Sequence, residues 1–519
     1  LRAAFGLLDR LGFRWLQPTE QGVYAPELKT LSVADDLNLT YQPPLLFMHG
    51  RMHNLGDWSM ANSYRKALRL YSQGGHTWDV AVPASLFKTH PEYFRMQGGV
   101  RLDPRGDPQY CPSNPEVVRL ITEYTLKKFD EGYDLVALGQ PDAWKACECP
   151  ACQAIGAGDD AYEQVHITQR KVIEAVRQKY PDRFVHLLIY GPTLKPSKRF
   201  KAYPPNTMIE LCGATNEQLD QWTPLIPGGV TVYTYYMGIY HNAGIAPILT
   251  PRKASEQLLR LLSHHVKGIY HCGGGENWGG DGPTYYTIGR LATDPSLDWR
   301  SVLDEYCRLT FRKAGFTMRQ YYDLLYSRMD MYQQGVYGPR LVADDFTAIY
   351  TPEVLDQMRN LLNLARQQAA GDERALNWIR LSEISWSHFA LIAKAFHLYQ
   401  AYQLSPSAES LKPLADAVRA YAAFTREVQT IYKDDKRFVT DFWPGVGSWV
   451  SNQSSRGNIS TNFHTLASPF SWNFEALDRT GFLPGKTRAR IVAPRLARPP
   501  AMDGAASDAS WSGLPWVDV

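Results

Sequence analysis

The chain has 519 residues, of which 44% are hydrophobic, and this is enough to fill two or three packed domains. Its 55 basic and 52 acidic residues leave a net charge of +3 and form no block or stripe, so we expect neither a nucleic-acid nor a membrane-surface partner. Every apolar run is shorter than the ~20 residues that a transmembrane helix requires.

Residues 1–40 predict a helix from Ala3 to Leu11, a strand from Phe13 to Leu16 and a turn at Pro18. This segment is interpreted as the tail of a small N-terminal α/β domain. The chain begins at Leu1 with neither Met nor a signal-peptide pattern, so we expect it to start inside a longer protein.

Residues 41–300 alternate apolar runs with amphipathic helices, which is the pattern of repeated β/α units. The predicted helices include Pro115–Phe129, Tyr162–Lys179 and Arg252–His265. The eight predicted strands are Leu45–His49, His76–Val82, Gln109–Pro112, Leu135–Gly139, Phe184–Tyr190, Met208–Cys212, Val230–Tyr236 and Gly268–Cys272. This alternation predicts an α/β fold with a (β/α)8 TIM-type barrel. An open doubly wound sheet is the alternative, but the residues after the first strand, 49–52, do not form the phosphate loop that it needs.

Residues 301–483 predict an α-helical domain, because apolar residues recur at three- and four-residue spacing and no strand pattern returns. The predicted helices are Ser301–Leu309, Thr317–Gln334, Pro352–Ala370, Glu373–Leu404 and Ala408–Tyr432. Residues 484–500, which are rich in Arg and Pro, predict a linker. Residues 501–519 resemble the opening strand of a carbohydrate-binding module, and a disordered tail is the alternative.

A glycine-rich segment, Gly273 to Gly282, follows the eighth predicted strand and contains Glu276, Trp278 and Asp281. Glycine permits sharp turns and a close approach of the backbone to a ligand. An acid beside an aromatic residue at the carboxyl end of a strand is typical of a sugar-processing site on a barrel. A surface turn with incidental charges is the alternative interpretation.

Polar and aromatic residues lie near the ends of the other predicted strands, and the carboxyl ends of barrel strands meet at one face. We therefore predict a substrate-binding set of Arg51, His53, His76, Trp78, Asn114, Gln140, Trp144, Tyr190, Tyr235, Tyr236, Asn277, Trp278 and Asp281. Any one of them alone is more typical of a structural residue. The prediction depends on their convergence.

Asp142 and Glu276 are the predicted catalytic pair. Cleavage of a glycosidic bond needs a proton donor for the leaving oxygen and a group that stabilises positive charge at the anomeric carbon. We assign Glu276 as the acid, because flanking glycines and Trp278 favour a raised pKa, and Asp142 as the nucleophile or as the carboxylate that orients a 2-acetamido group. The sequence permits these roles to be exchanged. Glu210 is a third candidate, although a buried structural glutamate is the preferred interpretation.

Three of the seven cysteines, Cys147, Cys149 and Cys152, lie within six residues. With a fourth ligand, Cys111 for instance, they have spacing compatible with zinc. No second paired motif completes a four-ligand set, so a disulfide or a reduced structural cluster is preferred. We predict no metal site and no cofactor.

Several motifs occur in a characteristic order along the chain. They are Leu11-Gly12-Phe13-Arg14-Trp15 with Pro18-Thr19-Glu20, His90-Pro91-Glu92-Tyr93-Phe94, Cys111-Pro112-Ser113-Asn114-Pro115-Glu116-Val117, Cys147-Glu148-Cys149-Pro150-Ala151-Cys152 and Glu276-Asn277-Trp278-Gly279. Over roughly residues 1 to 480, this ordered set resembles the family long catalogued as a domain of unknown function and now assigned, in part, to glycoside hydrolase family 163.

The resemblance implies a barrel with a helical C-terminal domain, preceded by a small α/β domain as in α-glucuronidases and hexosaminidases. It also implies endo-β-N-acetylglucosaminidase activity that releases complex N-glycans with retention. Many relatives carry an Asn-Asp pair after the fourth strand, where this chain has Pro141-Asp142. This chain therefore keeps the aspartate but has a proline in place of the asparagine.

The leading functional prediction is a retaining glycoside hydrolase that acts on a β-linked N-acetylhexosamine in a glycan or glycoprotein. An α-glucuronidase-like hydrolase of uronic-acid polysaccharides is the second hypothesis, since Arg51 and several histidines are suited to bind a carboxylate. A non-catalytic carbohydrate-binding protein is the third. We expect a bacterial protein that is secreted or periplasmic.

Overall fold

The computed structural model describes residues 2–27, 29–30, 32, 37–38, 43–50, 55–72, 75–237, 249–273, 278–331, 343–435, 437 and 469–484. Its strands are β1 (Arg14–Trp15), β2 (Val23–Tyr24), β3 (Phe47–Gly50), β4 (Leu70–Tyr71), β5 (Met96–Gln97), β6 (Val100–Arg101), β7 (Leu135–Ala137), β8 (Phe184–Ile189), β9 (Thr207–Cys212), β10 (Val230–Met237) and β11 (Gly268–Gly273).

The helices of the first 300 residues are α1 (Arg2–Arg10), α2 (Asp57–Ala61), α3 (Trp78–Ala81), α4 (Pro115–Asp130), α5 (Pro150–Ile155), α6 (Glu163–Lys179), α7 (Asn216–Trp222), α8 (Pro251–Ser263) and α9 (Trp278–Thr293). Further along the chain lie α10 (Trp299–Phe311), α11 (Gly315–Asp330), α12 (Ala343–Ile349), α13 (Pro352–Gln368), α14 (Glu373–Leu404), α15 (Ala408–Tyr432) and α16 (Phe474–Thr480). In the described part of the chain, no helix has the length and apolar character needed to cross a membrane.

Seven parallel strands form one curled sheet in the order β3-β11-β10-β9-β8-β7-β4. The last strand, β11, pairs with the first, β3, with Gly268 opposite Phe47, as closure of a barrel requires. At the other edge, β4 pairs with β7. The described residues therefore form a curled half-barrel of seven strands, and the complete (β/α)8 barrel is not confirmed.

Two of the eight strand predictions are wrong. Residues 76–82 contain the helical turn α3, and the strand of this unit is the earlier β4. A short apolar run fits a helical turn as well as a strand, so periodicity does not separate them. Residues 109–112 form no strand, and Tyr110 makes only a single antiparallel bridge to Phe94. The flanking Pro108 and Pro112 lack the amide hydrogen that a longer ladder would need.

The other six strand predictions are confirmed, with ends that move by no more than two residues. The helix predictions for α4, α6, α8, α10, α11, α13, α14 and α15 are confirmed with shifts of at most four residues, and α14 and α15 have the predicted ends. α1 and β1 likewise agree with the N-terminal prediction, and β1 pairs antiparallel with β2. The predicted linker and module, residues 484–519, lie almost wholly outside the described residues.

The two faces of the curled sheet are packed differently. On one face, Phe47, Leu70, Leu135 and Met208 form a small apolar cluster. On the other face, alternate residues such as Val185, Leu187 and Ile209 join a large core with the surrounding helices. The face that carries Met208 also carries the polar residues His186 and Glu210. His186 Nε2 lies 2.8 Å from Thr231 Oγ1.

The glycine-rich segment is only partly a loop, because α9 begins at Trp278 and includes Gly279, Gly280 and Gly282. Pro283 has no amide hydrogen to donate to the carbonyl of Gly279, four residues earlier. The Tyr322 hydroxyl donates to that carbonyl instead, at 2.9 Å, and the Tyr326 hydroxyl donates to Gly280 O at 2.7 Å. These bonds join the helix that follows the last strand to α11.

Gly279 also lets α9 approach α14 closely. A Cβ at Gly279 would overlap the backbone carbonyl of Leu381 and would lie 2.7 Å from Ser385 Oγ. The prediction that these glycines bring the backbone close to a ligand is therefore wrong for Gly279, which serves helix packing.

We expect Gly279→Ala to lower the free energy of unfolding by about 3 kcal/mol, because the added methyl group must displace backbone atoms. Thermal and urea unfolding measure this change. Gly6→Ala is the matched control, since Gly6 is an exposed helical glycine and a Cβ added there would meet no heavy atom within 4 Å. That control should gain up to about 1 kcal/mol from helix propensity. Equal stability of the two variants would contradict the close-packing argument.

Candidate active site

Asp142 lies in the loop that follows β7, at the carboxyl end of the curled sheet. Its side chain is 77% exposed. Oδ1 accepts a hydrogen bond from the Tyr190 hydroxyl at 2.8 Å and another from the Ala143 amide at 2.9 Å. Within the described part of the chain, Oδ2 accepts no hydrogen bond. The carboxylate is thus fixed by one oxygen and open to solvent at the other.

Tyr190 comes from the neighbouring strand, since it directly follows β8. Its hydroxyl accepts a hydrogen bond from the Ala143 amide at 3.0 Å as well as donating to Asp142. Burial raises the pKa of Tyr190 far above its usual value, and the hydrogen bond to the Asp142 carboxylate raises it further. Tyr190 therefore stays protonated near neutral pH and remains a hydrogen-bond donor.

His76 faces the same carboxylate from the loop after β4. Its Nδ1 lies 2.5 Å from the carbonyl oxygen of Gln140, so the proton on Nδ1 is donated to that carbonyl. Nε2 then faces Asp142 Oδ1 at 3.7 Å, and the imidazole ring lies 5.9 Å from the ring of Tyr190. Three predicted site residues, His76, Asp142 and Tyr190, are brought together by loops after three adjacent strands.

The loop that carries Asp142 is held by several neighbours. The backbone of Ala143 has a φ of 45°, a region that a residue with a side chain seldom adopts and that costs about 1–3 kcal/mol. Gln140 is buried and donates to Thr193 Oγ1 at 3.2 Å. Gln109 donates to the carbonyl of Asp142 at 3.1 Å and accepts from the Lys145 amide at 2.9 Å. These contacts hold the loop in a strained conformation.

The structure corrects the prediction that three tryptophans form aromatic platforms for a sugar. Trp78 and Trp278 are completely buried, and Trp144 is only 7% exposed. Trp278 packs edge-on against Trp58, with ring centroids 5.0 Å apart. The expectation that these three tryptophans are open to a sugar is therefore wrong. A large aromatic ring beside glycine or polar residues looks the same in a sequence whether it faces solvent or the core.

Two other predicted polar residues lie at or within helices. Asn114 caps α4, since its side chain accepts a hydrogen bond from the Glu116 amide at 2.9 Å. Asp281 is a buried residue of α9 and not part of an open loop. Burial raises the pKa of Tyr350, and the charge of Asp281 adds to that shift. The charge of Asp281 in α9 therefore acts on Tyr350, which directly follows α12.

Several predicted site residues fall outside the described residues. They are Arg51, His53, Glu276 and Asn277, together with the side chains of Tyr235 and Tyr236, whose backbone belongs to β10. Their roles stay predictions. Glu210 is 1% exposed within β9, where it lies opposite Leu188 and Thr231 of the adjoining strands. This burial agrees with the preferred interpretation of Glu210 as a buried structural glutamate.

Sequence reasoning missed Gln109 and the strained Ala143 as supports of the site. Gln109 contacts a residue 33 positions away, and no local pattern indicates such a pairing. The strain is visible only in the left-handed backbone conformation of Ala143. An alanine in a sequence does not predict that conformation.

A four-thiol cluster lies where the end of the same loop and the start of α5 meet Cys111, which precedes α4. The Sγ atoms of Cys111, Cys147, Cys149 and Cys152 are all within 4.8 Å of one another, and all four residues are buried. Cys111, which the sequence offered as a possible fourth ligand, supplies the fourth thiol, so the set has four members without a second paired motif.

Comparisons with solved structures find distant similarities to glycoside hydrolases. A family GH115 4-O-methyl-α-glucuronidase has 12% identity, with 74% of this chain and 51% of that chain covered and a TM-score of 0.47. A family 89 glycoside hydrolase from Clostridium perfringens has 11% identity, 71% and 42% coverage and a TM-score of 0.43. An O-GlcNAc hydrolase from Thermobaculum terrenum has 11% identity, 85% and 96% coverage and a TM-score of 0.37. The chain thus spans about half the length of the first two proteins.

No curated protein sequence matches the chain. A family model does match, and it is described as "Domain of unknown function (DUF4838)". The match runs over residues 17–323, which include the whole curled sheet and the loop of Asp142. Because this match covers more than half of the sequence, the chain belongs to the DUF4838 family.

Proposed function

We propose that this chain is a retaining glycoside hydrolase that cleaves a β-linked N-acetylhexosamine. The observation that carries the proposal is the exposed Asp142 carboxylate, which Tyr190 fixes at 2.8 Å at the carboxyl end of the curled sheet. This end of such a sheet is where barrel enzymes have their active sites. The motifs that resemble glycoside hydrolase family 163 support an endo-acting enzyme and a complex N-glycan as its substrate.

In the proposed reaction the substrate's own 2-acetamido group is the nucleophile. Its carbonyl oxygen forms a bond to the anomeric carbon while the bond from that carbon to the leaving oxygen breaks. The amide N–H donates to Asp142, and the carboxylate stabilises the positive charge that develops on the oxazolinium ring. The fixed Oδ1 and the open Oδ2 suit this role, because one oxygen sets the orientation and the other is available to the amide.

The leaving oxygen must take a proton, and the sequence assigns that proton to Glu276. Water then attacks the anomeric carbon, the same acid acts as base, and the acetamide is restored with overall retention. Tyr190 donates to Asp142 and, by keeping its own proton, adds no negative charge beside the carboxylate. His76 contributes a polar edge to the same site.

Mass spectrometry of the products tests the proposal. The full chain is incubated with a complex-type N-glycoprotein and, separately, with a glucuronoxylan, and the Asp142→Asn and Glu276→Gln variants are run beside it. We expect an N-glycan with one N-acetylglucosamine at its reducing end from the wild type and at least about 100-fold slower release from either variant. Release of uronic acid would replace the proposed substrate with a uronide. Glycan binding without any product would favour the carbohydrate-binding alternative.

A further inference from the structure

The cysteine cluster formed by Cys111, Cys147, Cys149 and Cys152 has the geometry of a mononuclear metal site. Cys111 Sγ lies 3.6 Å from Cys149 Sγ and 3.7 Å from Cys152 Sγ. A tetrahedron of sulfurs around one zinc ion, with Zn–S bonds of about 2.3 Å, has an edge of about 3.8 Å. The observed separations match that edge. They are much longer than the ~2.05 Å of a disulfide bond.

The number and the burial of the thiols support the same conclusion. All four cysteines are at most 5% exposed, and their Sγ atoms lie within 4.8 Å of one another. Four sulfurs this close leave space for one ion at their centre. Four thiolates in a tetrahedron are characteristic of zinc or of mononuclear iron. We propose that these four cysteines bind one structural zinc ion.

The surroundings of the cluster suit a negatively charged tetrathiolate. Cys147 Sγ accepts a hydrogen bond from the Met96 amide at 3.3 Å, and Arg101 Nη1 lies 3.7 Å from the same sulfur. The Ser113 hydroxyl lies 3.0 Å from Cys152 Sγ and 3.6 Å from Cys149 Sγ. N–H and O–H groups directed at thiolate sulfur are the outer partners that metal ligands usually have. Zinc binding releases the thiol protons to solvent, and Arg101 offsets part of the remaining charge.

The zinc ion would join three segments that hydrogen bonds already connect, such as the bond from the Glu148 amide to Met96 O at 2.9 Å. Cys111 precedes α4, Cys149 and Cys152 lie at the start of α5, and Cys147 contacts the β5–β6 hairpin. Gln164 of α6 reinforces the same loop, since it accepts from the Cys147 amide and donates to Gly156 O, at 3.1 and 2.8 Å. Because Cys147 follows Asp142 by five residues, the ion would anchor the loop that carries the candidate carboxylate.

Metal analysis of the full chain, purified without a histidine tag, tests this proposal independently of any activity. We expect one zinc ion per chain by mass spectrometry, and release of that zinc when four thiols have reacted with a mercurial reagent. Cobalt in place of zinc should give the absorption bands of tetrahedral cobalt–thiolate. These measurements use the wild-type chain, so they do not depend on whether a variant folds.

Two alanine variants form a matched pair. Cys152→Ala should lower the zinc content at least fivefold, whereas Cys307→Ala, which removes a buried thiol of α10, should keep one zinc per chain. Wild-type protein with two disulfides and no metal, or with four free thiols and no metal, would overturn the proposal. One iron per chain in place of zinc would overturn the identity of the metal.

Discussion

Asp142→Asn should lower kcat/KM on a β-linked N-acetylhexosaminide by about 10²–10⁴-fold, while the protein remains folded. The asparagine amide has nearly the same shape as the carboxylate but lacks its charge. It therefore stabilises the oxazolinium ring much less in the transition state. A thiazoline analogue of that ring should also bind at least tenfold more weakly. The measurements are steady-state kinetics, thiazoline inhibition and thermal unfolding.

Asp182→Asn is the matched control for this variant. Asp182 is an exposed aspartate just before β8, at the amino end of the strand that Tyr190 follows. The same chemical change there should leave kcat/KM within twofold of the wild type. Tyr190→Phe, which removes the donor to Asp142 Oδ1, should cause a smaller loss of about tenfold. Wild-type turnover by Asp142→Asn would remove this carboxylate from the mechanism.

Lowering the pH from 7 to 5 should destabilise the protein by several kcal/mol, because four histidines are buried in the neutral form. Burial lowers the pKa of His166 and His271 to about 4 and that of His186 and His388 to about 3. In the unfolded chain each has a pKa near 6.5. The unfolded state thus binds more protons between pH 6.5 and about 4. Stability is complete above that window and is lost as the pH falls through it.

Each buried histidine should contribute about 2 kcal/mol to the loss between pH 7 and 5. Urea unfolding at a series of pH values measures the number of protons taken up on unfolding, which should be close to four at pH 5. His166→Gln should lower that number by one, since the imidazole of His166 is held between Lys195 O at 2.9 Å and the Tyr203 hydroxyl at 3.1 Å. A flat profile from pH 7 to 5 would contradict this account.

The strands that were predicted well and those that were not differ in a physical way. β8, β9, β10 and β11 are runs rich in apolar and β-branched residues that helices separate, and burial on both sides of the sheet produces such runs. The short β4 has no such run, and α3 has an apolar run without being a strand. Pairing with β7 decides which residues form the strand at this edge of the sheet. Sequence spacing does not reveal that pairing.

The candidate site shows the same division. Asp142 and Tyr190 were predicted because each follows a well-predicted strand. Their hydrogen bond joins residues 48 positions apart, and its existence depends on the adjacency of β7 and β8 in the sheet. The tryptophans were misassigned because a sequence shows that an aromatic ring is present but not whether that ring is buried. The burial of Trp278 results from packing against Trp58, from a distant part of the chain.

By itself, the sequence determined the order of β/α units followed by helices and the positions of the candidate carboxylate and its tyrosine, because these depend on local periodicity and on which strand each residue follows. Only the tertiary structure decided that seven strands pair in one curled sheet, that Gly279 serves helix packing, and that Cys111 joins three cysteines 36 or more positions away. Contacts between distant segments depend on how the elements pack against one another. Local propensity does not encode them.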